Sequence, residues 1–466
     1  MKNKYKMLAK NSILFAMANF GSKLLKFVIV PLYTYCLTTT EYGTVDILTT
    51  TVSLLAPFLL LGLNEAVLRY SMNPDYTPSE VFSNCISVFA LMSVICCFLS
   101  SVFNEIVIFQ GYWWLFYFLL VLNSLESLLL AFLKGIGCNK QFAFAGILNT
   151  VVLLTSNIIL LVYMKMGIRG YLYSMILGYF SSILFILASV KVYKYFSVSL
   201  CNFRMIKILL KYSFPLMPNA IMWWIMNASD RYVILWFLGE AAAGIYAVAY
   251  KIPSILSVLT SIFHQAWQIS AIQEDGANDK KVFYGSVFSI YSELLILASS
   301  IVIMFIKPLI VLVTQIEYHS AWKYVPFLAL GALFSGMCSF EGINYTVSGK
   351  TIGAFTTSVM GAIINTVLNI ILTPYLGLQG TAIATFVGYY ILWLVRARET
   401  RRLKRYDIDY KKIHISLLLL IIQAVVLIID LKGQIIIQLV MFLLLLLNNR
   451  MLLRGIGNLA KRVKGM

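Results

Sequence analysis

Four basic residues of this sequence, Lys23, Lys26, Arg231 and Lys251, lie inside long apolar stretches. Asn19, Lys23 and Lys26 follow one another at spacings of four and three, which places them on one face of a helix. An ionisable group at the centre of a bilayer costs ~2.5–3.5 kcal/mol, so it normally faces a cavity or a partner. Lysine acts on phosphate as a point charge. We therefore expect the three lysines to line a water-filled cationic cavity for an anionic cargo, phosphate or pyrophosphate fitting best.

Acidic and polar side chains accompany these bases. Glu65 and Arg69 are four residues apart and can pair on a helix, whereas the neighbours Asp230 and Arg231 point in different directions. Salt bridges and hydrogen bonds that hold a helix bundle together are the alternative interpretation of all these groups. The polar residues fall into three stripes at helical spacing: Asp46, Thr50 and Ser53; Asn219, Asn227 and Asp230; and Tyr250, Ser254, Ser257, Ser261, His264 and Gln268.

Patterns typical of catalysis or metal binding are missing from the sequence. The seven cysteines are scattered without a C-x-x-C pair, and the three histidines are too far apart to form a local metal motif. The sequence has no H-E-x-x-H or G-x-S-x-G motif, and no sizeable aqueous loop carries paired carboxylates. We therefore expect no catalytic residues, no metal and no cofactor.

The elements that must position these residues are membrane-spanning helices. Of the 466 residues, 60% are hydrophobic and 12% charged, against about 45–50% and about 25% in an ordinary soluble domain. The mean hydropathy is +0.85. A soluble enzyme, a secreted disulfide scaffold and a disordered binder are excluded, because none could cover so much apolar surface.

Apolar runs recur often enough for about fourteen transmembrane helices, each needing ~20 residues to cross. With the N-terminus inside, 28 of the 37 Lys and Arg residues fall on the inner side, as the positive-inside rule expects. An even number of spans places both termini in the cytoplasm. The predicted spans are 11–37, 44–68, 81–103, 112–133, 141–164, 168–190, 212–238, 244–270, 283–306, 322–347, 352–372, 378–395, 413–430 and 434–449.

An internal repeat divides the spans. Both halves carry, in the same order, an Asn-Thr-Val triplet, an Asn-Ile-Ile-Leu run, a Gly-x-x-Gly motif and a Gly-Tyr pair, and Glu126 and Glu341 precede the two copies at similar distances. A six-span period makes the repeat parallel, as in transporters whose halves rock about a central site. We predict an all-α polytopic membrane protein with two six-helix lobes in parallel pseudo-repeat, 1–200 and 201–400, and a C-terminal helix pair, 401–466.

Two segments resemble a known family, and the likeness extends over essentially the whole chain. The sequence is similar to the Wzx-type polysaccharide flippases of O-antigen and teichoic-acid-like pathways, members of the MOP superfamily that includes the MATE exporters. The matching residues are Leu37-Thr38, Glu41-Tyr42-Gly43 and Asp46, then Asp230 to Leu235, Gly239, Gly244-Ile245-Tyr246 and Ala249-Tyr250.

The resemblance implies a bacterial plasma-membrane protein that moves a polyprenyl-pyrophosphate-linked glycan to the outer leaflet by alternating access. Lys23, Lys26, Arg231 and Lys251 would then neutralise the pyrophosphate. Asp46, Glu65 or Asp230 would titrate or bind a cation, H⁺ or Na⁺, to reset the cycle. The implied partners are the lipid-linked glycan, the bilayer and other polysaccharide-assembly membrane proteins, without nucleic acid. Asn19, Arg69, Ser254, Ser257, Ser261 and His264 complete the expected lining of the cavity.

Two other functions fit parts of the pattern. A MATE-type exporter of small molecules would share the architecture but would carry acids without competing lysines. A membrane-embedded polysaccharide polymerase or ligase would carry a sizeable outer loop with catalytic side chains, and the longest outer loop, 307–321, offers only Glu317 and His319.

Overall fold

The computed structural model describes residues 29–273, 280–348, 350–404, 406, 408–431 and 433–450, and within these ranges every regular element is helical. The α-helices are α1 (Val30–Cys36), α2 (Thr39–Leu60), α3 (Leu63–Ser71), α4 (Pro78–Ser100), α5 (Trp113–Gly135), α6 (Asn139–Asn157), α7 (Gly167–Val190), α8 (Phe203–Ser213), α9 (Met217–Ala228), α10 (Asp230–Lys251), α11 (Ser254–Gln273), α12 (Lys280–Val313), α13 (Val325–Val347), α14 (Thr351–Leu376), α15 (Leu378–Lys404), α16 (Tyr410–Ile429) and α17 (Gln434–Asn448).

Eleven stretches of the described chain are long and apolar enough to cross a membrane, and two shorter apolar helices, Ser254–His264 and Gln434–Asn448, accompany them. Each of the predicted spans from the second to the fourteenth has a counterpart in this set. The predicted first span, 11–37, lies mostly outside the described residues. The prediction of an all-α polytopic membrane protein is therefore confirmed.

The second span ends earlier than its hydropathy indicates. A capping box begins α2, in which the Glu41 amide donates to Thr38 Oγ1 at 3.2 Å and the Thr38 amide donates to Glu41 Oε2 at 2.9 Å. The helix ends at Leu61 and Gly62, both left-handed with φ of 48° and 70°. A Cβ at Gly62 would lie 2.8 Å from the Ser213 carbonyl oxygen. Close packing at this break therefore divides the predicted 44–68 span into α2 and α3.

The structure packs into two compact units. One comprises Leu32–Ala228, and the other comprises the described residues from Ser229 onward together with 29–31. These units are defined by packing, whereas the predicted lobes are defined by the sequence repeat. The predicted lobe limits at 200 and 400 therefore stay a prediction.

The two copies of the internal repeat pack through equivalent residues. In the pair α6 and α7, a Cβ at Gly178 would lie 3.0 Å from Asn149 Oδ1, and in the pair α14 and α15, a Cβ at Gly388 would lie 3.0 Å from Asn365 Cβ. In each pair, the glycine thus lets its helix come close to an asparagine at the equivalent position of the partner helix. A second equivalent pair joins the same helices: Gly170 against the Leu160 carbonyl, and Gly380 against the Leu372 carbonyl.

Buried hydrogen bonds attach the C-terminal helices to α12. Ser300 Oγ donates to Gln423 Oε1 at 2.8 Å, and Gln438 Nε2 donates to the Gln423 carbonyl at 2.9 Å. Lys412 at the start of α16 forms an ion pair with buried Glu293. Polar groups that are satisfied across helices fix the position of the pair within its unit.

Candidate functional site

Helix α10 bends sharply at Gly239, whose backbone angles of φ 82° and ψ −179° are not helical. Glycine tolerates this conformation because it has no Cβ. The bend falls between the predicted spans 212–238 and 244–270 and divides α10 into two arms. Asp230 and Arg231 on the first arm therefore meet Tyr246 and Tyr250 on the second.

The two charges at this bend contact each other. Arg231 Nη1 lies 3.1 Å from Asp230 Oδ1, and Tyr246 donates its hydroxyl proton to Asp230 Oδ2 at 2.6 Å. The Arg231 guanidinium lies 4.4 Å from the centre of the Tyr250 ring, a cation–π distance. Asp230 is 1% exposed and Arg231 7%. The neighbours that were expected to point apart thus form a buried ion pair, because the long arginine side chain bends back to the carboxylate.

Lys251 follows Tyr250 directly, so the bend brings two predicted cargo-binding bases, Arg231 and Lys251, into one region. Lys251 is half-buried at the end of α10, and its carbonyl accepts a hydrogen bond from Ser254 Oγ at 2.5 Å. The structure thus brings the Arg231 guanidinium against the ring of Tyr250, the residue that precedes Lys251 in the chain.

The polar stripe of α11 lies on the accessible side of that helix. Ser257 is exposed, and Ser254, Ser261 and His264 are half-buried. Leu256 on the opposite side is fully buried. Ser254, Ser261 and His264 share this half-buried state with most of their neighbours on α11, so their place in a cavity stays a prediction.

The stripe of α2 packs against α9 over part of its length. Trp224 donates its indole N–H to Ser53 Oγ at 3.0 Å and to the Thr50 carbonyl at 3.2 Å. Asp46, one turn before Thr50, is buried. Thr50 and Ser53 therefore contact α9, and a role of this stripe in a cavity stays a prediction.

Glu65 and Arg69 lie on the short helix α3, and both are exposed. The Arg69 guanidinium lies 4.4 Å from the centre of the Tyr212 ring, and no ion pair joins it to Glu65 within the described chain. The expected Glu65–Arg69 pair is therefore wrong, because the tyrosine ring offers Arg69 a competing contact. Asn19, Lys23 and Lys26 lie outside the described residues, so the cationic cavity as a whole stays a prediction.

No group of three His, Cys, Asp or Glu side chains in the described ranges could hold a metal ion. The sites for H⁺ or Na⁺ named from the sequence, Asp46, Glu65 and Asp230, stay predictions.

The family model for "polysaccharide biosynthesis protein" matches residues 8–268, which is more than half of the chain. The chain belongs to this family. It also aligns with an uncharacterized membrane protein of Methanocaldococcus jannaschii, 26% identical over 196 residues; the alignment spans 40% of this chain and 38% of that protein.

Two solved structures share the fold of this polysaccharide biosynthesis family member. A multidrug resistance MATE family transporter of the MOP superfamily, in its inward-facing conformation, superposes with a TM-score of 0.69 and 14% identity, over 83% of this chain and 96% of that one. The lipid II flippase MurJ, in its inward closed conformation, superposes with a TM-score of 0.69 and 19% identity, over 93% and 98%. The resemblance drawn from the sequence is thus confirmed at the level of family and MOP superfamily fold.

One buried site in this family member escaped prediction. The predicted span 378–395 leaves Arg396 in the connection that follows it, but the structure buries Arg396 in α15 at 1% exposed. Its guanidinium donates to Thr357 Oγ1 at 3.1 Å, to the Cys338 carbonyl at 3.0 Å and to Ser358 Oγ at 2.8 Å. The assignment to a loop was wrong because these oxygens satisfy the charge within the bundle.

Glu341 lies close by and is fully buried. It accepts hydrogen bonds from Asn344 Nδ2 at 3.0 Å and from the Tyr406 hydroxyl at 2.7 Å, and Thr400 also donates to it. A carboxylate inside a predicted span requires such donors, so Glu341 itself was the available signal for this network. Its counterpart Glu126 accepts from Asn149 at 2.7 Å.

Proposed function

We propose that this chain moves polyprenyl-pyrophosphate-linked oligosaccharide repeat units from the inner to the outer leaflet of a bacterial plasma membrane by alternating access. Membership of a polysaccharide biosynthesis family supports the glycan part of the cargo, and the fold it shares with a lipid II flippase supports a lipid carrier. The observation that carries the proposal is the buried Arg231–Asp230 pair, whose guanidinium also lies 4.4 Å from the centre of the Tyr250 ring.

The proposed cycle exchanges the anion that Arg231 binds. Arginine pairs with phosphate through two parallel charge-assisted hydrogen bonds, so a pyrophosphate competes with Asp230 for the guanidinium. When Arg231 engages the cargo, Asp230 keeps the hydrogen bond from Tyr246 and takes up a cation, H⁺ or Na⁺. Release of the cargo returns Arg231 to Asp230 and resets the site.

The remaining predicted residues have supporting roles in this cycle. Lys23, Lys26 and Lys251 add positive charge for the pyrophosphate, while Asn19, Asp46 and the accessible serines of α11 contact the polar cargo. The protein performs no covalent chemistry, works with both termini in the cytoplasm, and cooperates with other membrane proteins of polysaccharide assembly.

The proposal is tested in a bacterium that lacks the gene and is complemented with variants. Arg231→Gln or Lys251→Gln should be made in normal amounts but should fail to restore surface glycan, while lipid-linked glycan accumulates in the cell. Arg398→Gln, an exposed base of α15, is the matched control and should complement fully. Normal surface glycan with both Arg231→Gln and Lys251→Gln would overturn the proposed role of these bases.

The two other functions predict different results in the same strains. A MATE-type exporter would lower the accumulation of a small cationic dye and leave lipid-linked glycan unchanged. A polymerase or ligase would change the length or attachment of the glycan without trapping single repeat units in the cell.

A further inference from the structure

The segment that connects α7 to α9, residues 191–213, carries five basic residues. It contains no Asp or Glu. We call it the basic platform, and its five bases are all exposed: Lys191, Lys194, Arg204, Lys207 and Lys211.

The platform has a defined structure held by α4. Asn84 Nδ2 donates to the Leu200 carbonyl at 3.0 Å, and Asn84 Oδ1 accepts from the Asn202 amide at 2.8 Å. Ser83 Oγ donates to the Tyr195 carbonyl at 3.1 Å. Ser83 and Asn84 are fully buried, so the connection is a fixed surface of its unit.

Helix α8 gives the platform two different faces. Met205 and Leu209 are buried on the side that packs against α3 and α4. Arg204, Lys207 and Lys211 follow at spacings of three and four, so they share the exposed face.

Large apolar side chains stand among the exposed bases. Phe203 is 80% exposed, Val198 74% and Tyr193 60%. Aromatic and apolar groups beside Lys and Arg are typical of protein segments at the boundary between acyl chains and headgroups. Basic groups near a membrane surface attract anionic lipids.

We infer that the basic platform binds the phosphate headgroups of anionic phospholipids of the surrounding bilayer. Arg204, Lys207 and Lys211 contact the phosphates, and Phe203 and Val198 insert among the upper acyl carbons. Charge complementarity selects this ligand, because the platform carries five bases and no acid. This binding is separate from the cargo site and does not require the proposed transport function.

The test uses the full-length protein and native mass spectrometry with phosphatidylglycerol or phosphatidylcholine as the added lipid. Replacing Arg204, Lys207 and Lys211 together by Gln should weaken phosphatidylglycerol binding on the order of 100-fold, at about fivefold for each base. Phosphatidylcholine binding should stay unchanged. Phe203→Ser, a single exposed substitution, should weaken the binding of both lipids.

The matched control replaces three exposed bases of α15, Arg398, Arg401 and Arg402, by Gln. It should lose much less phosphatidylglycerol than the platform variant does. An equal loss in both variants, or no loss in the platform variant, would overturn the inference. Retained phosphatidylglycerol binding together with lost glycan export would assign the platform to the cargo instead, and would also overturn it.

Discussion

At the scale of single residues, the bend at Gly239 determines what the charged side chains can do. Arg231 and Asp230 satisfy each other at 3.1 Å, and Tyr246 bonds the second carboxylate oxygen at 2.6 Å. A buried ion pair is stabilising only when its remaining hydrogen-bonding positions are filled. Tyr246 therefore supports the resting state of the site without carrying a charge itself.

Tyr246→Phe should lower the thermal stability of the purified protein, because a hydrogen bond to a buried charged group contributes ~1.5–3 kcal/mol. Tyr193→Phe, at an exposed position, is the control and should leave the melting temperature unchanged. Melting curves in detergent measure both variants. Identical curves for Tyr246→Phe and the natural protein would mean that the hydroxyl does not stabilise Asp230.

A second residue pair gives a pH dependence. Lys307 Nζ donates to Asp430 Oδ1 at 2.5 Å, and this hydrogen bond lowers the pKa of Asp430 below its ordinary value. A lowered pKa in the folded protein means that the stabilisation is complete above the ordinary carboxyl pKa, about 3.9, and is lost as the pH falls through the folded pKa.

We therefore expect the melting temperature of the natural protein to fall more steeply below about pH 4 than that of Lys307→Met. Lys281→Met is a control at the other end of α12, and it should retain the steep fall. Melting curves between pH 3 and 6 test this. The same slope in Lys307→Met and the natural protein would contradict it.

At the scale of helices, the repeat rests on close approach at glycine. A Cβ at Gly178 or Gly388 would come within 3.0 Å of the facing asparagine. Gly146, on α6, has nothing within 4 Å of the position where a Cβ would stand. Alanine substitution at these three positions therefore distinguishes the effect of a packing clash from the effect of alanine on the backbone.

Gly178→Ala and Gly388→Ala should each destabilise the protein by ~1–3 kcal/mol through overpacking. Gly146→Ala should be neutral or stabilising by ~0.4–1 kcal/mol, because alanine restricts the unfolded chain. Chemical or thermal unfolding in detergent compares the three variants. A difference between Gly178→Ala and Gly388→Ala would contradict the equivalence of the two helix pairs, and an equal loss with Gly146→Ala would contradict the packing origin of the effect.

Hydropathy predicted the helices well and their interruptions poorly. Spans are long apolar runs, so they can be recognised one at a time from the sequence. The break at Leu61 and Gly62 depends on the approach of the Ser213 backbone, which is about 150 residues away along the chain. Arg396 was misplaced for a related reason, because its partners are carbonyl and hydroxyl oxygens of other helices, and hydropathy registers only the charge.

The candidate site could be predicted in part. An ionisable group in an apolar run signals a cavity or a partner, and for Asp230 and Arg231 the structure shows a partner, while the role of Lys251 stays a prediction. Whether such a group faces a cavity or a partner depends here on the backbone conformation at Gly239. The effect of that conformation on the side chains cannot be predicted from composition. The i, i+4 spacing of Glu65 and Arg69 was misleading, because spacing allows a pair but does not exclude a better partner such as Tyr212.

At the scale of the whole molecule, family and fold agree. A membrane protein of the polysaccharide biosynthesis family has the architecture of a MATE transporter and of a lipid II flippase. Its two repeated helix pairs use the same contacts, and its buried charges are matched by donors and acceptors.

The most direct measurement reconstitutes the purified protein into liposomes with a polyprenyl-pyrophosphate-linked oligosaccharide that an added glycosidase can digest only in the outer leaflet. The account predicts that the natural protein makes the whole pool digestible, and that Arg231→Gln leaves about half of the pool protected. Protection of half the pool with the natural protein as well, in liposomes where it is folded and inserted, would contradict the account.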